Sequence, residues 1–204
     1  MMKIVPTLNL FRPGEAEAIT GLSTAMQRDY RRRGFLPKNE GHARFNVFEL
    51  AEMFMLKQLS DRGFWPEFFA PVAHLAAKGV ALQALKFADA YEGTLELIEG
   101  FCPVSQDPAG EVFRAYGIKP EYARYLVIWG HINPVGGVMG DHNFTDDLNA
   151  VFSEEFQGRG RAHLLQEGPS TVYNLEMTGL RFLRGQLEDK AFVRLSLSPQ
   201  EDEG

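Results

Sequence analysis

The chain has 204 residues, of which 45% are apolar and 12% aromatic, and this composition is ample for a packed core. Its single cysteine, Cys102, excludes an internal disulfide and a metal cage built from several cysteines. No apolar run approaches the roughly twenty residues of a membrane-spanning helix, and residues 1–10 lack the pattern of a signal peptide, so we expect a globular cytoplasmic protein.

Charge is distributed unevenly along the chain, whose formal net charge is −6. Residues 1–45 contain eight Lys or Arg and four Asp or Glu, a net charge of +4. The remaining residues contain 13 Lys or Arg and 23 Asp or Glu, a net charge of −10. The asymmetry predicts a polyanion-binding face at the N-terminal end. The alternative is a solvated basic helix face that has no partner.

A short helix is predicted to begin at Pro13. Proline is tolerated in the first turn of a helix because its missing N–H would have no partner there. Glu15 and Glu17 place negative charge near the positive end of the helix dipole. The helix is expected to stop at Thr20 and Gly21.

A second, basic helix is predicted over residues 24–33. Ser23 or Thr24 can cap it, and Thr24 has the capping-box spacing to Gln27. Gly34 suits the left-handed position just after a helix. The arginines of this helix are Arg28, Arg31, Arg32 and Arg33. Two helices joined by a short turn, the second of them basic, predict a helix-turn-helix, in which the second helix enters the major groove.

A β-hairpin, or wing, is predicted to follow. Residues 35–37 leave the helix in extended form, residues 39–41 have turn chemistry, and residues 42–45 can return as a strand. The basic residues expected near its tip are Lys38, His42 and Arg44.

A third helix is predicted after the wing. Asn46 can cap it, with Glu49 three positions later. Its apolar residues recur at helical spacing as far as Gly63 and can form a core. These residues are Val47, Leu50, Ala51, Phe54, Met55 and Leu59.

The stretch GLSTAMQRDYRRRGFL, followed by ARFNVFELAEMFMLKQLSDRGF, resembles the DNA-binding domain of MerR-like transcription regulators. That family has a Gly-apolar-Ser turn, a recognition helix with Arg and Tyr that ends in Gly-apolar-Leu, an Arg-aromatic wing and a helix ending in Gly-aromatic. The resemblance covers roughly the first 85 residues. It implies that Arg28 and Tyr30 contact phosphate and sugar, and that Arg44 contacts DNA from the wing. The sequence departs from the family at Asp29, where another aromatic residue is usual.

Two more helices are predicted after Gly63, over residues 65–79 and residues 80–91. The first has a wide apolar stripe and would cover the winged domain. The second has only about twelve residues, which is too short for several heptads of a coiled coil. MerR-like proteins usually dimerise through a long helix at this place, so the sequence does not locate the dimer interface.

The sequence predicts a mainly α winged helix-turn-helix domain over residues 1–91, followed by a small α+β domain over residues 92–204. Residues 124–129, RYLVIW, are the best strand candidate and are expected at the centre of a sheet. A weaker strand, a helix and an outer strand are predicted in the last part of the chain, over residues 170–173, 175–185 and 191–197. This domain would serve dimerisation or bind an effector, either a small molecule or a protein.

Chemistry-bearing residues in the second half form no known motif. His131, Asp141 and His142 are suitable metal ligands, but their spacing matches no metal motif, so we expect neither a metal nor another cofactor. The sequence has no nucleophile motif and no phosphate-binding glycine loop, so we do not expect an enzyme. Core or dimer contacts, or the walls of an apolar sensor pocket, are the alternatives for Phe144, Phe152 and Phe156.

Two functions remain open. The first is a sequence-specific transcription regulator that binds double-stranded DNA as a homodimer on a two-fold related operator. The second is a winged-helix adaptor, or a recombination accessory protein, that acts through protein–protein contacts. A DNA reader needs most of its basic residues directed at phosphates. The candidate DNA-binding residues are Ser23, Thr24, Gln27, Arg28, Tyr30, Arg31, Lys38, His42 and Arg44, with Gln27 expected to read a base edge.

Overall fold

A computed structural model of the chain describes residues 2–38, 42–102, 107–132, 138–152 and 170–199. The elements of the first half are β1 (Met2–Leu8), α1 (Pro13–Thr20), α2 (Thr24–Arg33), α3 (Val47–Ser60), α4 (Pro66–Ala84), a 3-10 turn (Ala88–Ala90) and β2 (Tyr91–Glu92). Those of the second half are α5 (Leu95–Phe101), α6 (Pro108–Ala115), β3 (Tyr125–Ile132), β4 (Val138–Thr145), α7 (Leu148–Phe152), β5 (Ser170–Asn174), α8 (Leu175–Arg184) and β6 (Val193–Pro199).

Local sequence signals determine where the first three helices begin and end. Pro13 opens α1, and Gly34 closes α2 in the left-handed conformation with φ of 82°. Asn46 Oδ1 accepts hydrogen bonds from the backbone N–H groups of Phe48 and Glu49, and Glu49 Oε2 accepts one from the Asn46 N–H. The helices predicted over residues 24–33 and after Asn46 are therefore confirmed, together with the one that begins at Pro13.

The predicted wing hairpin is not formed by residues 35–37 and 42–45. The N–H of Phe35 donates to the Tyr30 carbonyl at 2.8 Å, so the chain turns back onto the end of α2 instead of extending. Phe45 bridges to Phe11, with N–H···O distances of 2.8 and 3.0 Å. Residues 39–41, the predicted turn of the hairpin, lie outside the described residues. The hairpin prediction is wrong because Phe11, just after β1, is the partner of Phe45.

Helix α4 is longer than predicted, because it continues through Gly79 to Ala84. The expected break at Gly79 is absent, and the predicted helix over residues 80–91 is reduced to the end of α4 and the 3-10 turn. A Cβ atom at Gly79 would lie 3.0 Å from Leu175 Cδ1, at the start of α8. This glycine therefore serves close packing and does not end the helix.

Two small sheets complete the fold. In the first, β6 lies between β1, which is antiparallel to it, and β2, which is parallel. The strand predicted over residues 191–197 is present as β6, but it is central and not at the edge of the sheet. The strand β1, which was not predicted, covers one edge of β6. In the second sheet, β3 lies between β4 and β5, both antiparallel to it, so the central strand predicted from RYLVIW is confirmed.

One hydrophobic core extends through both halves of the chain. Phe182 of α8 is fully buried, stacks on Phe192 with ring centroids 4.8 Å apart, and lies 5.4 Å from the Phe54 ring of α3. The expected boundary between residues 91 and 92 falls inside β2, and this core crosses it. The chain is a helix-rich α+β protein, and no described helix is long and apolar enough to cross a membrane.

Candidate nucleic-acid interface

The inner side of α2 is attached to the rest of the fold by polar side chains. Gln27 is 0% exposed, and its Nε2 donates to the carbonyls of Pro13 at 3.0 Å and Leu22 at 2.8 Å. Tyr30 is 5% exposed, and its hydroxyl lies 3.0 Å from Ser60 Oγ on α3. The amide of Gln27 thus holds α2 against α1, and Tyr30 holds it against α3.

This burial corrects two of the DNA contacts predicted from the sequence. Gln27 cannot read a base edge, because its amide faces inward and its donor is used within the fold. Tyr30 is likewise unable to contact the DNA backbone while its ring packs edge-on to Phe35, with centroids 5.7 Å apart. Both residues were expected to be exposed because their side chains are polar. Gln27 and Tyr30 are three positions apart, however, and therefore share the inner face of α2.

The outer side of α2 carries a group of cations, which we call the basic face: Arg28, Arg31, Arg32 and Lys38. These four side chains line a shallow depression of about 420 Å³. Arg28, Arg32 and Lys38 are exposed, and Arg31 is half-buried. Within the described part of the chain, Arg28 and Lys38 form no hydrogen bond or ion pair. The structure therefore brings three predicted site residues, Arg28, Arg31 and Lys38, to one surface.

Arg31 is held in place from two directions. Its Nε donates to the Gln27 carbonyl at 3.2 Å, and its guanidinium carbon lies 5.4 Å from the centroid of the Phe45 ring. The aromatic face attracts the cation and limits its rotamers. Arg31 is consequently a fixed cation beside the exposed side chains of Arg28 and Lys38.

Asp29 introduces an acid beside the basic face. It pairs with Arg32 one turn further along α2, and its Oδ2 lies 3.5 Å from Arg33 Nη1. Arg33 also pairs with Glu67 at the start of α4. Arg32 and Arg33 are therefore partly neutralised within the fold, unlike Arg28.

The N-terminus of α2 is already occupied by the protein's own groups. Ser23 Oγ accepts a hydrogen bond from the Met26 N–H at 3.2 Å, which makes Ser23 the cap of this helix. The N–H of Thr24 donates to Glu17 Oε2 of α1 at 3.0 Å. The Ser23 hydroxyl and the Thr24 N–H are thus used within the fold, whereas the half-buried side chain of Thr24 remains a predicted DNA contact. This role of Glu17, which lies seven residues before Thr24, was not predicted from the sequence.

His42 and Arg44 lie on the segment that leads to Phe45, and both are exposed. Arg44 Nη1 donates to the neighbouring Ala43 carbonyl at 3.1 Å. These two residues were predicted on the wing, whose paired strands are not observed, so their relation to DNA rests on sequence alone.

Of the three residues considered as metal ligands, only His142 has a described side chain. His142 packs edge-on against Phe144, with ring centroids 5.8 Å apart, and Phe144 is partly buried against the core. The side chains of His131 and Asp141, and residue Phe156, lie outside the described parts. Among the described residues, no three His, Cys, Asp or Glu side chains are grouped so that they could hold a metal ion.

A comparison with known protein families finds no family model that matches this chain, and a comparison with curated proteins finds no significant match.

Proposed function

We propose that the chain is a sequence-specific transcription regulator that binds double-stranded DNA through the basic face. The observation that carries the proposal is the pair of exposed cations, Arg28 and Lys38, which share one depression with Arg31 and have no partner within the described residues. Unpaired cations on one surface attract a polyanion and release its counterions on binding. The acidic remainder of the chain is compatible with this role because the positive charge is local.

We expect bases to be recognised by the exposed side of α2. Ala25, Arg28 and Arg32 are three and four residues apart and all are exposed, so they project from the same side of the helix. An arginine can donate two hydrogen bonds to a guanine in the major groove, and a small apolar residue can contact a thymine methyl group. We expect Ala25 and Arg32 to supply sequence preference, and Arg28, Arg31 and Lys38 to contact phosphates.

We also propose that the protein acts as a homodimer on a two-fold related site. A single short helix contacts too few base pairs to be specific, and paired half-sites about one helical turn apart are the usual solution. Selection of bound sequences from a random DNA library tests this, with sedimentation measured on the protein alone and on the complex. We expect a two-fold related consensus and two chains per site. A protein that selects no sequence and stays monomeric on DNA would contradict the proposal.

An adaptor that binds another protein is the second candidate, and two observations favour it. Asp29 neutralises part of α2 through its pairs with Arg32 and Arg33. Trp65 and Phe68, near the start of α4, are 56% and 49% exposed, which is unusual for large aromatic residues. An adaptor would bind DNA weakly and without sequence preference, so the same selection experiment separates the two functions.

A further inference from the structure

A cleft of about 470 Å³ opens between α3, α4 and the turn that follows α6. Its volume is within the range typical of small-molecule sites, which is about 300 to 1,000 Å³. The lining residues that matter here are Phe48, Glu49, Glu52, His74, Lys78 and Ile118. This cleft is separate from the basic face, with which it shares no lining residue.

Apolar side chains form part of the walls. The Phe48 ring is half-buried and is fixed edge-on against Phe113, with centroids 4.9 Å apart. Ala77 is buried, and Ile118 is half-buried against the core. An apolar body about the size of one aromatic ring can pack between them.

The least exposed polar group of the cleft is an acid. Glu52 is 9% exposed, and its Oε1 lies 3.4 Å from His74 Nδ1. No donor among the described residues contacts its second oxygen. Glu49, one turn earlier on α3, is half-buried and accepts a hydrogen bond from the Asn46 N–H at 2.9 Å. Burial raises the pKa of both carboxyl groups.

The basic side chains of the cleft are more exposed than these acids. The side chain of His74 is 57% exposed, Lys119 is exposed and Lys78 is half-buried. A cation that enters the cleft therefore meets a desolvated carboxyl group with spare acceptor capacity, whereas the lysines remain in contact with water. A buried acid of this kind is stabilised by a paired cation.

We propose that this cleft binds a small organic amine with an apolar body, whose ammonium group donates to Glu52. The apolar part lies between Phe48 and Ile118, and Glu49 adds negative charge beside the ammonium group. The site shares no lining residue with the basic face, so its test requires no DNA.

Three probes of nearly equal shape test the charge preference on the full-length protein: 3-phenylpropylamine, 3-phenylpropan-1-ol and 3-phenylpropanoate. We expect isothermal titration or ligand-observed NMR to give at least about tenfold tighter binding of the amine than of the alcohol, because a charge-assisted hydrogen bond to a buried carboxylate is strong. The carboxylate probe should bind no better than the alcohol. Equal binding of amine and alcohol, preference for the carboxylate probe, or no binding of the amine up to millimolar concentration would overturn the proposal.

Variants locate the interaction within the molecule. Glu52→Gln should reduce the affinity of the amine to that of the alcohol and leave the alcohol unchanged. Glu99→Gln, an exposed acid on α5, is the matched control and should retain the affinity of the parent. Lys119→Ala removes a cation from the cleft without changing its buried acids, and it should retain or raise the affinity for the amine. A folded Glu52→Gln protein that still prefers the amine tenfold would overturn the proposal.

Discussion

Gln27 Nε2 donates to the carbonyl of Leu22 at 2.8 Å, which connects α2 to the turn that precedes it. The bond is buried, and a second one from the same nitrogen reaches Pro13 in α1. Together with the bond from the Thr24 N–H to Glu17, this amide fixes the angle between α1 and α2, and with it the presentation of Arg28 and Arg31.

Replacing Gln27 should therefore destabilise the fold. Gln27→Ala leaves two buried carbonyls without this donor and opens a cavity, and we expect the free energy of unfolding to fall by roughly 1 to 3 kcal/mol. Gln27→Glu keeps the shape but places a carboxylate against the same carbonyls, so it should be at least as destabilising. Urea denaturation measures both. Full stability of Gln27→Ala, with a changed preference at one base pair, would restore the view that Gln27 reads DNA.

Close packing between α4 and α8 gives a second test. A Cβ atom at Gly179 would lie 2.5 Å from Gln83 Cβ and 2.9 Å from the Val80 carbonyl oxygen. Gly179→Ala should cost roughly 1 to 3 kcal/mol of stability, because both neighbours belong to a packed helix. Gly14→Ala is the matched control, since Gly14 is helical with nothing within 4 Å of its added Cβ, and it should be neutral or slightly stabilising. Equal thermal midpoints for the two variants would contradict this packing.

The domain boundary expected between residues 91 and 92 implies that a fragment of residues 1–90 folds alone, and the structure leads to the opposite expectation. Removal of β6 leaves β1 without its antiparallel partner, and removal of α8 exposes the face of α4 around Val80 and Gln83. We expect non-cooperative thermal unfolding and rapid proteolysis of the fragment. A fragment that unfolds cooperatively near the midpoint of the full chain would show that the N-terminal half is an independent domain.

Burial of Glu52 makes the stability of the protein depend on pH. Desolvation raises the pKa of Glu52, and His74 opposes this shift. The folded state therefore binds the Glu52 proton more tightly than the unfolded chain does. Protonation of Glu52 stabilises the fold at low pH, and this stabilisation is lost as pH rises through the pKa of Glu52 in the folded state.

Glu52→Gln should consequently be more stable than the parent at neutral pH, and the difference should vanish below the ordinary pKa of a glutamate. Thermal midpoints measured across pH, with Glu99→Gln as control, test the sign. A Glu52→Gln variant that is less stable than the parent at neutral pH would mean that the pair with His74 outweighs desolvation.

Helix ends could be predicted from the sequence because their signals are local. Pro13, Gly34 and Asn46 each act on backbone groups within a few residues, so no knowledge of the tertiary fold is needed. The pairing of Met2 with Pro199 could not be predicted in this way, since it joins opposite ends of the chain. The edge strand β1 also contains Pro6, which weakens its strand pattern.

The candidate site was predicted only in part for a related reason. Several arginines on one helix predict a cationic surface from the sequence alone, and Arg28, Arg31 and Lys38 do lie on one surface. The buried positions of Gln27 and Tyr30 depend on contacts with α1 and with Ser60 of α3, which residue type does not reveal. Glu52 reads as an ordinary helix-surface acid in the sequence, and only its packing against α4 makes it a buried one.

The acid beside the basic face allows a gain-of-function test. Asp29→Asn removes the partner of Arg32 and weakens the restraint on Arg33. Because Arg32 loses its partner and Arg33 keeps only Glu67, both cations become more available to DNA, and we expect tighter DNA binding and a steeper dependence of affinity on salt. Asp61→Asn, just after α3, removes an acid that pairs with Lys57, outside the basic face, and serves as control. Fluorescence anisotropy titrations measure both variants, and weaker binding by Asp29→Asn would argue that Asp29 positions Arg32 for the contact.

The salt dependence of DNA binding by an Arg28→Ala/Lys38→Ala double variant tests the role of the basic face. Affinity for the selected site and for unrelated DNA is measured between about 50 and 200 mM salt, with circular dichroism as the folding control. The matched control replaces Lys86 and Arg114, which are exposed but already bonded to Gln83 and Glu111. We expect the slope of log affinity against log salt to fall by about two in the first variant, roughly one per lost phosphate contact, and to stay unchanged in the second. A folded Arg28→Ala/Lys38→Ala protein with the slope and affinity of the parent would contradict DNA binding through this face.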